Sequence, residues 1–439
     1  MLALQRFFKV CKVAFFEATF TPFSLRESKT YKPTLIWLSK SFLFAFCIML
    51  SPYLQWFLES ITMDYPRILA SLVGLLGVVS ILFTPKNRRF SVGFFVGILW
   101  FYWVGLGLRY FDMIFLIPLG TLFMGILVGF VFWIGLFCEC LIVRFAFLML
   151  LSFFEPLGFD WFILESFWFA YSYFGVDKLS FALIIVSVWL LITSHRYVKL
   201  IGIVCLLLAL DKGTFQEVSP ALPLKIKIIQ TEVSQDIKNE NLIRVVEENF
   251  AHIRHAALEG NDMVILPEAA FPFPLEKYKD IQKELETLSD SIAIVVGSLR
   301  LEVLDREEKY YNSTYIFDHG RMSAIDKVFL VPFGEELPLF LQPIVERFFQ
   351  GIGGFSRGKG LGEFEIRGVR FQNAICYEGT SRQIYEKSPP FVVVTSNNAW
   401  FVPSIEPILQ KNLMKYYARL YGSTILHATN LSPSAIITP

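Results

Sequence analysis

Three reactive side chains stand at the ends of short apolar segments in the C-terminal half of the chain. These are Glu268 after residues 264–267, Lys327 within 325–329 and Cys376 after 373–375. A thiol becomes a nucleophile when a base accepts its proton, and a carboxylate can serve as that base. An ammonium group beside both can hold the thiolate and stabilise the oxyanion of a tetrahedral intermediate. If the fold brings the three residues together, the predicted chemistry is nucleophilic catalysis by a cysteine.

Each of the three residues also has a purely structural interpretation when it is taken alone. Glu268 could cap a helix, Lys327 could be a surface lysine, and Cys376 could be a small buried hydrophobic residue. The other five cysteines lie in or beside apolar segments further upstream, at Cys11, Cys47, Cys138, Cys140 and Cys205. An internal disulfide in the C-terminal half is therefore excluded. No metal site and no cofactor are expected.

From about Leu222 onward, β-branched segments alternate with amphipathic ones, which predicts an α/β layered domain over residues 222–439. The predicted strands are Lys225–Gln230, Met263–Leu266, Ile292–Ser298, Thr314–Asp318, Val369–Ile375, Phe391–Thr395 and Ile425–Ala428. The predicted helices are Lys238–Glu259, Leu275–Asp290 and Glu406–Tyr421. Strand ends are where such folds assemble sites. A helix beginning within Thr380–Lys387 would also lower the pKa of the Cys376 thiol through its N-terminal dipole.

The composition of the chain indicates a membrane protein. Hydrophobic residues make up 54% of the 439 positions and charged residues 18%, against about 25% charged in a typical soluble domain. From Ser41 to Leu210 there are eight acidic and nine basic residues. The formal charge of +1 argues against a nucleic-acid partner, which needs a basic surface. We therefore expect a membrane domain over residues 1–210, with a boundary near Asp211.

Seven apolar segments in that domain are candidates for membrane-spanning helices, of about 20 residues each in the standard case. They are Phe42–Leu58, Arg67–Thr84, Ser91–Leu108, Met113–Trp133, Ile134–Phe154, Leu179–Thr193 and Tyr197–Leu210. Basic residues concentrate in cytoplasmic loops, and here they cluster in the N-terminal arm, at Lys86, Arg88 and Arg89, and at 195–199. Seven spans then place the second domain outside the cytoplasm.

Four sequence motifs carry a resemblance to a known family. They are Leu266-Pro267-Glu268, Asp326-Lys327-Val328 with Val331-Pro332-Phe333-Gly334-Glu335, Ile375-Cys376-Tyr377-Glu378 and Ser396-Asn397-Asn398-Ala399-Trp400-Phe401. In this order, behind a multi-span domain, they resemble apolipoprotein N-acyltransferase, the membrane branch of the nitrilase (carbon–nitrogen hydrolase) superfamily. The superfamily part spans roughly 210 residues.

The resemblance implies an αββα sandwich with a catalytic triad of Glu268, Lys327 and Cys376, on the periplasmic side of a bacterial inner membrane. It implies that Cys376 takes an acyl chain from a phospholipid as a thioester. The chain then passes to the α-amino group of the S-diacylglyceryl cysteine of an apolipoprotein. By the same resemblance Glu335, Tyr377 and Glu378 are supporting residues beside the triad.

Two further segments are candidates for a mobile apolar loop over the site, with an ordinary packed segment as the alternative. They are Phe271–Pro274 and the stretch from Leu339 to Phe349. The chain also departs from the family, because Asn398 and Val402 stand where the motif usually has Asp and Gly. It stops at Pro439 where members usually continue, so it is either a short subtype or truncated.

Two other functions remain open on the sequence. One is a membrane-tethered nitrilase-type amidohydrolase that passes its acyl group to water, against which the membrane domain counts. The other is a noncatalytic module that binds lipid or lipoprotein, against which the intact Glu268, Lys327 and Cys376 count.

Overall fold

The computed structural model describes residues 32–111, 113–211, 213, 221–235, 241–304, 307–331, 334–335 and 354–439. The chain divides into two compact units. The helical unit comprises Met1–Phe154 and Phe162–Gln216, and the layered unit comprises Glu155–Trp161 and Glu217–Pro439. The short segment Glu155–Trp161, which the composition assigns to the first domain, thus packs with the second.

The described part of the helical unit contains eight α-helices. They are α1 (Lys32–Ser60), α2 (Arg67–Leu82), α3 (Arg89–Phe101), α4 (Ile117–Gly135), α5 (Leu141–Ser152), α6 (Leu164–Phe169), α7 (Lys178–Thr193) and α8 (Arg196–Leu208). Among the described residues, three helical segments are long and apolar enough to cross a membrane: Leu35–Ser60, Arg89–Tyr110 and Ile114–Gly135. Three shorter apolar helices are α2, α5 and α7. The count of seven spans stays a prediction.

The fifth predicted span, Ile134–Phe154, is wrong as a single helix. Helix α4 ends at Gly135 and α5 begins only at Leu141. Glu139 lies in the connection, where its carboxylate accepts a hydrogen bond from the backbone N–H of Lys86 at 3.0 Å. A polar group anchored in this way marks the connection as a turn, which the continuous apolar pattern conceals.

Glycines allow α3 and α4 to pack closely. A Cβ atom on Gly93 would lie 2.5 Å from the Cβ of Phe132, and one on Gly97 would lie 2.5 Å from the carbonyl oxygen of Met124. Small residues at such crossings let helix backbones approach each other where lipid removes the hydrophobic driving force. Any larger residue at Gly93 or Gly97 would force the two helices apart.

A buried ion pair connects three helices of the same unit. Glu165 of α6 is fully buried, and its Oε1 lies 3.1 Å from Nζ of Lys178 on α7. Lys178 also donates to the carbonyl oxygen of Ser152 at the end of α5, at 2.6 Å. A buried carboxylate is tolerated only when it is paired, so Lys178 compensates the charge of Glu165.

The part of the layered unit that the structure describes contains two β-sheets. The first has the order β1 (Ile226–Ile228), β2 (Met263–Ile265), β4 (Ala293–Leu304), β5 (Glu307–Asp318) and β6 (Arg321–Asp326), with β3 (Phe271–Pro274) also paired to β4. The second has the order β11 (Ala435–Ile437), β10 (Thr424–Asn430), β9 (Phe391–Asn397), β8 (Val369–Ile375) and β7 (Glu363–Ile366). Strands β1, β2 and β4 are parallel to one another, as are β8, β9 and β10.

The two sheets pack face to face, with helices on the outer faces. Alternate residues of β2 point to opposite sides: Met263 and Ile265 join the core between the sheets, together with Val393 and Leu426 of the second sheet. Val264 joins the core beneath α9 (Leu242–Leu258) and α10 (Lys279–Leu288). Helix α12 (Glu406–Tyr421) packs against β10 and β11. The observed architecture is the predicted αββα sandwich.

Most predicted elements of this unit are confirmed, and β8 and α12 match to the residue. The mobile loop predicted at Phe271–Pro274 is wrong, since this segment is strand β3, whose Phe271 and Phe273 are buried. Two prolines conceal the strand, because proline is rare inside sheets. Strands β6, β7 and β11 are also absent from the sequence prediction. The stretch from Leu339 to Phe349 and the start of the helix predicted from Lys238 lie outside the described residues.

Candidate active site

Glu268 lies in the turn that follows β2. Its side chain is 8% exposed, and Oε2 accepts a hydrogen bond from the backbone N–H of Asn397 at 2.7 Å. Gly297 of β4 makes room for this turn, because a Cβ atom there would lie 2.5 Å from Cα of Glu268. The carboxylate is thus held between the two sheets, where the N–H group of Asn397 takes the place of a solvating water molecule.

Lys327 is the first residue after β6. Its side chain is 1% exposed, and Nζ lies 2.6 Å from Oε2 of Glu335 and 3.6 Å from Oε1 of Glu268. Burial alone lowers the pKa of Lys327, but the carboxylates of Glu335 and Glu268 outweigh burial, so the pKa stands above its ordinary value. Lys327 is therefore a buried cation between two carboxylates.

Cys376 directly follows β8 and begins a 3-10 turn, Cys376–Thr380. Its φ of +52° lies in the left-handed region, which non-glycine residues seldom adopt and which clusters at functional sites. Burial, followed by the charge of Glu268, raises the pKa of the thiol well above its usual value, while Lys327 opposes the shift. The expectation of a lowered pKa is wrong, because α11 (Arg382–Tyr385) has only four residues and burial dominates. The resting group is a neutral thiol that needs a base.

Asn312 of β5 connects the two carboxylates, and the sequence prediction missed it. Its Nδ2 donates to Oε1 of Glu268 at 2.7 Å and to Oε1 of Glu335 at 2.9 Å. Its backbone oxygen accepts from the N–H of Lys327 at 2.8 Å. The predicted strand began at Thr314, whereas β5 begins at Glu307. The sequence signal for Asn312 is a single amide two residues before the predicted apolar strand.

Glu335 lies beside Lys327 and Glu268, where its family motif predicts it. Besides Lys327, its Oε2 accepts from the backbone N–H of Val331 at 2.9 Å. This bond positions the carboxylate against the ammonium group. Glu335 therefore shares the charge of Lys327 with Glu268.

Glu378 and Tyr377 lie next to Cys376 in the chain but contact other groups. The Glu378 carboxylate accepts from the backbone N–H groups of Val328 at 2.6 Å, Phe329 at 3.2 Å and Ile375 at 2.8 Å. Burial raises its pKa, and these hydrogen bonds limit the rise. Glu378 thereby ties the segment after Lys327 to the strand that ends just before Cys376.

Tyr377 contacts the segment Glu155–Trp161. Its hydroxyl donates to the carbonyl oxygen of Gly158 at 3.2 Å, and its ring stacks on Phe159. Trp161 Nε1 donates to Oγ1 of Thr380 at 3.0 Å. Tyr377 therefore holds the turn after the thiol against this segment rather than pointing to the carboxylates.

Glu406, the first residue of α12, is a buried carboxyl group that the sequence prediction treated only as a helix start. It is 3% exposed, and its Oε2 has no hydrogen-bond partner among the described residues. Burial, and then the charge of Glu268, raise its pKa to about 8. Glu406 is thus a neutral acid near the site at pH 7, and its ionisation raises the pKa of Cys376 further.

Taken together, the site holds a thiol, a carboxylate that can accept its proton, and a cation that can stabilise an oxyanion. Glu268, Lys327 and Cys376 come from three separate strand ends, and Asn312 and Glu335 complete the group. The described residues thus gather at one place what nucleophilic attack on a carbonyl carbon requires.

Comparisons with known proteins give a consistent result. Residues 35–212 match the family model of the apolipoprotein N-acyltransferase integral membrane domain. The apolipoprotein N-acyltransferase of Helicobacter hepaticus is 58% identical over 89% of this chain and 99% of its own length. Those of Wolinella succinogenes and Helicobacter pylori are 43% and 37% identical, over 85% and 92% of this chain and 90% and 96% of their own lengths.

Solved structures resemble this chain over about half its length. A CN-hydrolase superfamily protein from Xanthomonas campestris has a TM-score of 0.37 and 14% identity, over 49% of this chain and 82% of that one. An amidase from Nesterenkonia sp. has a TM-score of 0.35 and 15% identity, over 48% and 79%. The family membership of the chain rests on its sequence relatives and not on these structural likenesses.

The contacts of Asn312 predict a specific loss on substitution. In Asn312→Ala, Glu268 and Glu335 each lose a hydrogen bond to a charged oxygen, and their mutual repulsion is no longer bridged. We expect kcat to fall about 10- to 100-fold, because such bonds are worth roughly 1.5–3 kcal/mol. Steady-state kinetics of the purified full chain measure this. Asn261→Ala, another buried asparagine with its bonds at the end of α9, is the control, and equal losses in both variants would contradict the assignment.

Glu406 predicts a pH-dependent stability. Because its folded pKa of about 8 lies above the ordinary 4.5, its favourable contribution is complete below about pH 4.5 and is lost as the pH rises through 8. The free energy of unfolding of Glu406→Gln should therefore rise relative to that of the wild type between pH 5 and 9, by on the order of 4 kcal/mol at pH 9. Thermal unfolding midpoints of the detergent-solubilised chain against pH test this, with the exposed Glu365→Gln as control. A difference in unfolding midpoint between Glu406→Gln and the wild type that stays constant with pH would refute this prediction.

Proposed function

The chain belongs to the apolipoprotein N-acyltransferases, and on that premise we propose that Cys376 transfers a fatty acyl chain from a membrane phospholipid to an apolipoprotein. The protein is a membrane protein and an acyltransferase, and its acceptor is a lipoprotein. The acceptor atom in this proposal is the α-amino nitrogen of the N-terminal S-diacylglyceryl cysteine. The product is then a triacylated lipoprotein.

One observation supports the proposal above the others: Glu268 and Lys327 form one buried group that is electrostatically coupled to Cys376. A thiol whose pKa is raised is a poor nucleophile by itself. A carboxylate within the same buried group supplies the missing base. The arrangement suits a reaction that moves a proton at each displacement.

In the proposed first half-reaction, Glu268 accepts the thiol proton as the sulphur of Cys376 attacks the carbonyl carbon of a phospholipid ester. The negative charge that develops on the carbonyl oxygen is stabilised by Lys327, which stays a cation throughout because Glu335 remains paired with it. When the C–O bond breaks, Glu268 returns the proton to the departing oxygen. A lysophospholipid leaves, and a thioester remains on Cys376.

In the proposed second half-reaction, the neutral α-amino group of the lipoprotein attacks the thioester carbon. Glu268 accepts a proton from the nitrogen and delivers it to the sulphur as the C–S bond breaks, so an amide forms and the free thiol returns. Two displacements of this kind are each easier than direct aminolysis of an ester. The low exposure of Glu268 and Lys327 keeps the proposed base and cation away from bulk water, which strengthens their electrostatic effect on the reacting groups.

We also propose that the layered unit lies on the periplasmic side of a bacterial inner membrane. Support comes from Lys86 and Arg88 between α2 and α3, from Arg89 at the start of α3, and from the basic residues at the start of α8. Such residues concentrate on the cytoplasmic side. Seven spans from a cytoplasmic N-terminus then lead to the periplasm.

The thioester is the test of the proposed mechanism. The purified full chain is incubated with phospholipid, and the Cys376 peptide is analysed by mass spectrometry beside the Cys376→Ala variant. We expect a fatty-acyl adduct on Cys376 that hydroxylamine removes and that a diacylated lipopeptide discharges as an amide. The variant should show no adduct at any peptide.

Two outcomes of that experiment would contradict the proposal. An adduct that only water discharges would favour a membrane-tethered amidohydrolase. No adduct in a folded protein that still binds lipid would favour a noncatalytic lipid-binding or lipoprotein-binding module. A Lys327→Met variant that forms the adduct as fast as the wild type would remove the oxyanion role from Lys327.

The orientation is tested by labelling single cysteines in intact cells with a membrane-impermeant maleimide after the outer membrane is permeabilised. Leu258→Cys introduces a thiol at a position that is 86% exposed in the layered unit, and Lys86→Cys introduces one at an exposed position between α2 and α3. We expect Leu258→Cys to react in intact cells and Lys86→Cys only after lysis. The reverse pattern would overturn the orientation.

A further inference from the structure

A buried glutamine lies against the sulphur of Cys376. Nε2 of Gln410, on α12, is 3.9 Å from Sγ, a distance at which an N–H group can still donate weakly to sulphur. The Gln410 side chain is 1% exposed, so it does not exchange this contact for water. The mechanism proposed above does not use this residue.

The orientation of Gln410 depends on Asn398, in the 3-10 turn after β9. Nδ2 of Asn398 donates to Oε1 of Gln410 at 3.2 Å and to Oγ of Ser432 at 2.9 Å. Both N–H bonds of the Asn398 amide are therefore engaged. Since the oxygen and nitrogen of an amide point to opposite sides, holding the Gln410 oxygen at Asn398 turns its N–H group to the sulphur.

We propose that Asn398 and Gln410 form an amide pair that keeps a hydrogen-bond donor against the sulphur of Cys376, with Gln410 contacting the reacting atom and Asn398 acting as a positioning residue. The inference rests on the proposed function in one respect, namely that Cys376 is the nucleophile. It adds a group that stabilises the thiolate as the thiol proton leaves.

The charges around Cys376 explain why a neutral donor is useful there. The carboxylates of Glu268 and Glu335 disfavour the thiolate, as does Glu406 once it ionises, whereas one cation, Lys327, favours it. Lys327 already pairs with two of those carboxylates. An amide N–H stabilises a developing negative charge without adding a charge that would itself need compensation.

The pair depends on the amide at position 398. A carboxylate in its place would only accept hydrogen bonds. An aspartate facing Gln410 would attract its N–H group and turn its oxygen toward the sulphur. Asn398→Asp is therefore a substitution that reverses the pair with almost no change in shape.

The first test removes the donor without adding charge. In Gln410→Met, we expect the apparent pKa of Cys376 alkylation to rise by about one unit. The fall in thiolate fraction is partly offset because a more basic thiolate is more nucleophilic, so the rate at neutral pH should drop about threefold. Alkylation of the full chain by iodoacetamide, from pH 6 to the highest pH at which the chain stays folded, is followed on the Cys376 peptide by mass spectrometry and gives both the rate at neutral pH and the shift of the profile between variant and wild type. The kcat of acyl transfer should fall, with KM for phospholipid unchanged.

The second test compares two isosteric substitutions. Asn398→Asp should slow alkylation of Cys376 at least as much as Gln410→Met. Asn412→Asp is the matched control, because Asn412 is equally buried on α12 but has no bond to Gln410. The control separates reversal of the amide pair from a buried negative charge, and it should alter the rate less than Asn398→Asp.

An alkylation profile of Gln410→Met that coincides with that of the wild type overturns the inference, as does an equal effect of Asn398→Asp and Asn412→Asp. The proposed function would survive either result, provided that the wild type forms the acyl adduct on Cys376. Conversely, the alkylation profiles test the amide pair even if no adduct forms, so the two failures are distinguishable.

Discussion

The burial of Lys327 is the constraint on which the layered unit depends. Removing an ammonium group from water costs several kcal/mol even after the protein relaxes, and the side chain is only 1% exposed. Two carboxylates offset this cost, Glu335 at 2.6 Å and Glu268 at 3.6 Å. Those carboxylates repel each other, and Asn312 bridges them with the two N–H bonds of one amide. The two carboxylates therefore compensate the charge of Lys327, and Asn312 in turn compensates the repulsion between them.

The fold supplies these members from strand ends that only the sandwich brings together. Glu268 follows β2, Lys327 follows β6 and Cys376 follows β8, so both sheets contribute to one charged group. Glu378 joins the segment after Lys327 to the strand before Cys376 through three backbone hydrogen bonds. The carboxylate and the ammonium group that we propose as base and oxyanion-binding cation are thus fixed before any substrate arrives, which is the preorganisation that electrostatic catalysis requires.

Much of this arrangement can be predicted from the sequence, because local patterns determine it. Strand β8 and helix α12 follow from β-branched and amphipathic runs, and Glu268, Lys327 and Cys376 stand at strand ends within recognisable motifs. Asn312, Glu406 and Gln410 cannot be found in this way, since their importance lies in contacts with residues far away in the chain. The same limit explains the raised pKa of Cys376: the predicted helix dipole is a local effect, whereas burial and the charge of Glu268 depend on tertiary packing.

Acyl exchange without the acceptor tests the role of this buried group most directly. The purified full chain is incubated with phospholipid and isotope-labelled lysophospholipid, and no lipopeptide is added. If Cys376 holds the acyl chain as a thioester, the first half-reaction is reversible and label enters the phospholipid pool in the wild type but not in Cys376→Ala. Exchange that requires the lipopeptide, or that persists in Cys376→Ala, would contradict a mechanism through Cys376.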